Sequence, residues 1–401
     1  MKFAIIKERK NPPDRRVVFS PSELLQAKQQ FPNAEFKIES SNIRVFSDKA
    51  YQDAGFEVTT NVSDCDVLIG VKEVPVENLM PNKKYFFFSH TIKKQPYNRK
   101  LLKAVLEKNI ELYDHETIVN PKGFRLIGFG RYAGIVGTYN GFRAWGLKFD
   151  SYSLPKANTL RDQAALIDQL NTIKLPNIKI LLTGSGKVAN GAQEMLDGMH
   201  LKSVSVDDYL HKTFNEPVYC KIDVLDYNKR KDGAVKDMFD FFDNPQEYVS
   251  DFKRFTKVTD YYIAGHFYGN GAPKFYTKED VTSNHFNIKV VADISCDVNG
   301  PIATTIKAST IADPIYGYNP ETGEEMNYTD KKAIAVMAVD NLPCELPKDA
   351  SEGFGDMFLE HVIPAFFNND KEGILERARI TENGKLTDRF FYLQAYVDGK
   401  E

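Results

Sequence analysis

Long apolar runs are missing from this chain, and with them the elements that need such runs. No uninterrupted apolar stretch approaches the roughly 18–20 residues of a membrane-spanning helix. The amino terminus, MKFAIIKERK, has an apolar centre too short for a secretory signal and meets charge at once. The 4 cysteines (Cys65, Cys220, Cys296, Cys344) are scattered through 401 residues without a CxxC spacing. That excludes a disulfide framework and leaves buried thiols of a reducing compartment, so a cytoplasmic location is expected. Charge of one sign is also lacking. A net charge of −3 offers no field for DNA, RNA or an anionic membrane surface. There is no basic tract, no internal repeat and no ligand spacing for a metal, so none of these partners is expected.

What is present is ordinary globular composition, 42% hydrophobic and 27% charged. A chain of 401 residues exceeds one compact core and suits two domains. The first 130 or so residues alternate strand and helix. FAIIK (3–7), CDVLIGV (65–71), YFFFSH (85–90) and IELYDHE (110–116) read as strands, the middle two as buried parallel ones. SPSELLQAKQQF (20–31) reads as a helix capped by Ser20 or Ser22, with Pro21 where a missing N–H costs nothing. NRKLLKAVLEKN (98–109) is a second helix, and YAGIVGTYNGFRAWG (132–146) mixes small and aromatic residues as a tightly packed helix does. PETGEEMNYTDKK (320–332) is expected to be a surface loop, and SEGFGDMFLEHVIPAFF (351–367) an amphipathic helix returning to the first domain. The expectation is an α/β fold: two Rossmann-like α/β domains flanking a cleft. Residues 1–135 plus 310–401 form the first, and 136–309 a dinucleotide-binding second.

The segment NIKILLTGSGKVANGAQEML (177–196) is strand, glycine turn and helix. Gly184, Gly186 and Ala189 make G-x-G-x-x-A: a tight turn, a backbone close to the pyrophosphate, and a helix lying near the strand. Gly184, Ser185, Gly186, Lys187 and Val188 are therefore assigned to NAD or NADP, with a simple strand–helix turn as the bland alternative. The fingerprint expects an acid about 20 residues on, at the end of the next strand. Asp207, beside Asp208, fills that place and favours NAD modestly, since Lys202 and His211 stand close in sequence.

Lys72 and His90 each end an apolar strand-like run, with Glu73 beside Lys72. In parallel α/β sheets ligands bind beyond the carboxyl ends of strands, where both residues would point. A lysine with lowered pKa and a histidine suit proton transfer. Spacing alone equally allows a snorkelling lysine and a satisfied core histidine.

Eight motifs together resemble one family: DRRVVFSP (14–21), GVKEVP (70–75), FFSHTIKKQPYN (87–98), LYDHE (112–116), GFRLIGFGRYAG (123–134), LLTGSGKVANGAQE (181–194), ADISCDVNGPI (292–302) and VDNLPCELPKDASEGFGDM (339–357). The chain is similar over nearly its whole length to the lysine–2-oxoglutarate reductase and lysine-forming saccharopine dehydrogenase group, within the alanine dehydrogenase/transhydrogenase-like superfamily. The resemblance implies Lys72 and His90 as the acid–base pair, with Glu73 and Glu116 as carboxylates near it. It implies Arg16, Lys93, Gln95, Arg125 and Phe129 at substrate, and Cys296, Asp297 and Asn299 in a loop touching the cofactor. His266 falls where the family varies.

The implied substrates are lysine, 2-oxoglutarate and saccharopine, whose three carboxylates would suit Arg16, Lys93 and Arg125. The expected reaction joins lysine to 2-oxoglutarate through an imine reduced by hydride. Two readings compete: an alanine dehydrogenase or carboxyethyl-amino-acid synthase using pyruvate, and a non-catalytic dinucleotide-binding protein. A monomer and a homo-oligomer are both compatible with the sequence.

Overall fold

The computed structural model describes residues 1–269 and 271–400. They divide into two compact units, residues 1–129 with 347–401, and residues 130–346.

The first unit is built on six parallel strands: β1 (Lys2–Ile5), β2 (Glu35–Glu39), β3 (Glu57–Thr59), β4 (Val67–Lys72), β5 (Lys84–Phe88) and β6 (Glu111–Asp114). Their spatial order is β3-β2-β1-β4-β5-β6, the doubly wound order, with its reversal between β1 and β4. Alternation along β1 sends Phe3 and Ile5 to one face and Ala4 and Ile6 to the other. The first face is sealed by α1 (Pro21–Gln30) and by the Pro347–His361 helix through Phe354 and Phe358. The second is sealed by α3 (Arg99–Glu107) and the carboxyl-terminal Leu393 and Tyr396; α2 (Asp48–Asp53) precedes β3. Ser20 caps α1 in a reciprocal box with Glu23, with Pro21 in its first turn.

The second unit opens with α4 (Gly130–Phe149) and α5 (Gln163–Leu170), then β7 (Lys179–Thr183) and α6 (Lys187–Gly198). It continues with β8 (Lys202–Ser203), β9 (Val218–Ile222), a ribbon of β10 (Asn228–Arg230) and β11 (Tyr248–Ser250), then β12 (Tyr261–Ala264) and β13 (Val290–Asp293). The last strands are β14 (Ile315–Tyr318), β15 (Glu325–Met326) and β16 (Ile334–Met337). The main sheet has the order β15-β14-β16-β13-β12-β7-β9-β8, parallel from β16 to β8 and antiparallel at β14 and β15. The helices α4 and α6 approach closely because Gly134 lies against the Val188 carbonyl and Gly191 against the Arg131 backbone, where a Cβ would collide.

The chain crosses between units at 129/130 and 346/347. The sequence placed the second crossing near 310. It falls later because β14 and β16 pair onto β13 and extend the sheet of the second unit. The 320–332 stretch is loop except for the short β15.

Candidate active site

Because all six strands of the first unit's main sheet run parallel, their carboxyl ends share one edge, and the candidate acid–base residues collect there. Lys72 is the last residue of β4, His90 stands two residues beyond β5, and Glu116 two beyond β6. The Lys72 ammonium lies over the Phe88 ring, 5.9 Å from its centroid. Glu73 accepts from Lys10 at 3.0 Å and stands 3.9 Å from His90 Nδ1. Lys93 and Arg125 both meet one oxygen of Glu116, at 3.3 and 2.8 Å.

These charges fix the protonation states. Burial, then the Lys72 and Lys93 ammonium groups, lower the His90 pKa below the ordinary 6.5, against the pull of Glu116 and Glu73. Burial raises the Glu116 pKa, but Arg125, Lys93 and His90 outweigh it and hold the carboxyl below the usual range. At neutral pH the site therefore holds a neutral imidazole beside an ionised carboxylate. Since the folded value of His90 is depressed, its contribution to stability is full above pH 6.5 and is lost as pH falls through the lower, folded value. A ring-nitrogen titration of His90 by NMR should give a midpoint below 6.5; a midpoint above it would contradict this arrangement.

The cations assigned to substrate carboxylates come paired. Arg16 is 2% exposed and gives Nε and Nη2 to Asp14 at 3.0 and 2.6 Å, with its guanidinium 4.3 Å above the Phe129 ring. Burial opposes ionisation of Asp14, yet Arg16, aided by Lys72, holds its carboxyl below the usual range. A substrate carboxylate would thus compete with Glu116 for Lys93 and Arg125, both of which are exposed. Phe129 stacks on Phe354 at 4.5 Å. Gln95 receives the Tyr97 hydroxyl on its side chain, while its carbonyl accepts from Tyr396 at 2.5 Å.

Sequence reasoning passed over the buried acids that hold these loops. Glu8 accepts from the Val71 and Lys72 amides, and Asp114 from those of Ser89, His90 and Glu116. The available signal was an acid at or shortly past the end of a strand, at the sheet edge where the catalytic candidates already lay.

In the second unit the glycine turn joins β7 to α6. Gly184 has φ +107°, and a Cβ there would lie 2.7 Å from the Gly265 carbonyl oxygen, so the turn requires glycine. At Gly186 a Cβ would meet none of the described residues within 4 Å, which leaves space among them beside the backbone. Gly186 is the N-cap of the 12-residue α6 and supplies no side-chain cap to its first-turn amides. Ser185 and Lys187 are exposed, Val188 is half-buried and Ala189 is fully buried. This arrangement suits a pyrophosphate.

Asp207 is not at a strand end. It lies in the first turn of a short helix, Val206–His211, with its side chain 86% exposed, 3.7 Å from His211. Ser205 caps that helix and turns SVSVDDYL away from strand geometry. The strand beside β7 is β9, in the register Thr183–Ile222, and Asp223 follows its last residue as the N-cap of the next helical turn. The Gly184 amide donates to the Ile222 carbonyl at 2.9 Å, which sets Asp223 next to the glycine turn.

At the end of β13, buried Asp293 folds the following loop, accepting from Ser295 Oγ at 2.6 Å, the Cys296 amide at 3.1 Å and Thr305 Oγ1 at 2.5 Å. Cys296 donates its thiol to the Ala338 carbonyl at 3.0 Å, and burial pushes that thiol up to about 12. Asp297 is half-buried and Asn299 exposed on the same loop. His266 is 6% exposed, bonded to Thr183 Oγ1 at 2.9 Å, and burial holds its ring neutral, down to about 3. It supports the glycine turn from beneath.

Residues 4–136 match the alanine dehydrogenase/PNT N-terminal domain. The chain is 28% identical over 416 residues to the mitochondrial alpha-aminoadipic semialdehyde synthase of Rattus norvegicus, covering 91% of this chain and 44% of that protein. It is 22% identical over 349 residues to the NAD(+)-dependent, L-lysine-forming saccharopine dehydrogenase of Yarrowia lipolytica, covering 82% and 83%. Among solved structures an L-alanine dehydrogenase matches with a TM-score of 0.64 at 15% identity, over 99% of this chain and 100% of that one. The chain spans less than half the length of the synthase it matches. The resemblance read from the motifs is thus found again in whole-chain similarity, and the doubly wound α/β fold in that structure. Among the described residues no helix is long and apolar enough to cross a membrane.

Proposed function

We propose that this chain is a nicotinamide-dependent oxidoreductase that interconverts lysine plus 2-oxoglutarate with saccharopine. The observation that carries the proposal is the convergence of Lys72, Glu73, His90, Lys93, Glu116 and Arg125 on one sheet edge, in a chain similar to lysine-forming saccharopine dehydrogenases. The neutral His90 ring would accept a proton from the attacking ε-amine. The Lys72 ammonium would donate one to the departing hydroxyl as carbinolamine becomes imine. Positioned groups of this kind typically contribute about 10²–10⁴-fold each. Lys93 and Arg125 would turn from Glu116 to substrate carboxylates, and Glu116 would balance the charge that remains. The bound dinucleotide would supply the hydride that reduces the imine. Gly184, Gly186 and the first-turn amides of α6 would hold its pyrophosphate.

The strand order supports NAD as the cofactor: Asp223, just past the end of the strand beside β7, would hold the ribose hydroxyls and repel a 2′-phosphate. Asp223→Ser keeps a residue able to cap the Val224 amide, now bonded at 2.6 Å. That variant should lose about tenfold in NADH affinity, roughly 1.4 kcal/mol, and discriminate less against NADPH. Asp207→Ser should change neither. Titrations of both variants that showed the reverse would return the role to Asp207.

A further inference from the structure

Two buried carboxylates at the strand ends of the first unit take no part in the chemistry above, yet each grips the main chain of a candidate catalytic residue. We propose that Glu8 and Asp114 are the positioning residues of the acid–base pair, Glu8 fixing Lys72 and Asp114 fixing His90 from the strands that flank them. The kinetic part of this inference rests on the reading of Lys72 and His90 given above; the structural part does not.

The sheet order is β1-β4-β5-β6 across this region, so β1 and β6 enclose the two strands that carry the pair. Regular pairing of β1 with β4 ends at Ile5–Ile69, followed by the Ile6 amide to the Ile69 carbonyl at 3.0 Å. Beyond that point Glu8 replaces main chain. Its Oε1 accepts from the Val71 amide at 2.7 Å and its Oε2 from the Lys72 amide at 2.8 Å. Gly70 makes room, since a Cβ there would lie 3.4 Å from Glu8 Oε1 and 3.0 Å from Ile6. The Gly70 carbonyl is taken by His115 Nε2 at 2.8 Å, so this irregular end of β4 is held from both sides.

Asp114 mirrors the device from β6. Its Oδ2 accepts from the Ser89 amide at 2.9 Å, the His90 amide at 3.1 Å and the Ser89 hydroxyl. Its Oδ1 accepts from the Glu116 amide at 2.7 Å. One carboxylate thus ties the His90 loop to the Glu116 loop and holds His90 at φ +54°, a conformation a non-glycine residue seldom adopts.

Only a carboxylate offers two oxygens that accept from separate amides without donating. Burial makes that choice costly, pushing Glu8 up to about 7 and Asp114 up to about 6 despite the amide bonds. Glu8 also faces Asp14 and Arg16, and Asp114 faces Glu116. Two such costs, both spent on the amides of the acid–base residues, point to positioning.

The test uses the full chain with labelled histidine, as wild type, Glu8→Gln, Glu8→Asp and Asp114→Asn, with His90→Asn to assign the His90 resonance. The His90 ring feels Lys72, Lys93, Glu116 and Glu73. Displacing the end of β4 should therefore shift its titration in both Glu8 variants, and Asp114→Asn should shift it by moving the ring itself. Turnover in the same variants should fall about 10–100-fold, as expected for misplacement near 1 Å, with dinucleotide affinity unchanged. Folded variants that melt earlier but keep the wild-type His90 titration would overturn the proposal and make both acids merely structural. If Glu8→Gln does not fold, the Glu8→Asp and Asp114→Asn titrations decide. Wild-type inactivity on lysine and 2-oxoglutarate would defeat the substrate reading and leave the titration result standing.

Discussion

Lys72→Met is expected to lower turnover about 10²–10⁴-fold, the usual share of one acid–base group. Methionine keeps the apolar stem over the Phe88 ring but cannot carry a proton. The change removes no packing of consequence, because Lys72 is only half-buried. Thermal stability and dinucleotide affinity should therefore stay near wild type, and the loss should appear in kcat. A second effect is independent of substrate. The Lys72 charge helps depress the His90 pKa, so its removal should raise the His90 titration midpoint. Turnover within a few-fold of wild type would remove Lys72 from the chemistry. An unmoved His90 midpoint would contradict the electrostatic picture of the site.

Gly184→Ala should weaken dinucleotide binding by the next largest factor, on the order of 10–100-fold. Alanine at φ +107° stores strain of about 1–3 kcal/mol. Its Cβ would also stand 2.7 Å from the Gly265 carbonyl oxygen, which belongs to rigid backbone. Relief requires the turn to open, and the amides at the start of α6 then lose their alignment. Gly186→Ala is the informative control. A Cβ there meets none of the described residues within 4 Å, so stability should hold while a bound phosphate is crowded. Calorimetric binding and melting curves on both variants separate the effects. Equal affinities in wild type and Gly184→Ala would show that the turn does not hold the dinucleotide.

Most strands and long helices could be read in advance because burial leaves a pattern. The apolar runs ending at Lys72 and near His90 are β4 and β5, and SPSELLQAKQQF announces its helix through Ser20 and Pro21. Local pattern failed where position depends on a non-local neighbour. Asp207 has the right sequence distance from the glycine turn, but β9 inserts between β7 and β8, so the residue that follows the strand beside β7 is Asp223. No spacing rule contains that exchange. The grips of Glu8 on β4 and of Asp114 on the His90 loop span 63 or 64 and 24 or 25 residues, and only the sheet order brings the partners together. Likewise Arg16, Lys93 and Arg125 looked like three cations awaiting carboxylates, whereas folding pairs them with Asp14 and Glu116. A charge count along the chain could not show those pairs.

The central claim is tested most directly by following oxidation of NADH and NADPH with 2-oxoglutarate and pyruvate, each offered with lysine, ornithine or ammonia. Turnover that requires lysine and 2-oxoglutarate together, with NADH preferred, is the expected result. Turnover with pyruvate alone as keto acid, or silence in every pairing while the dinucleotide still binds, would contradict it.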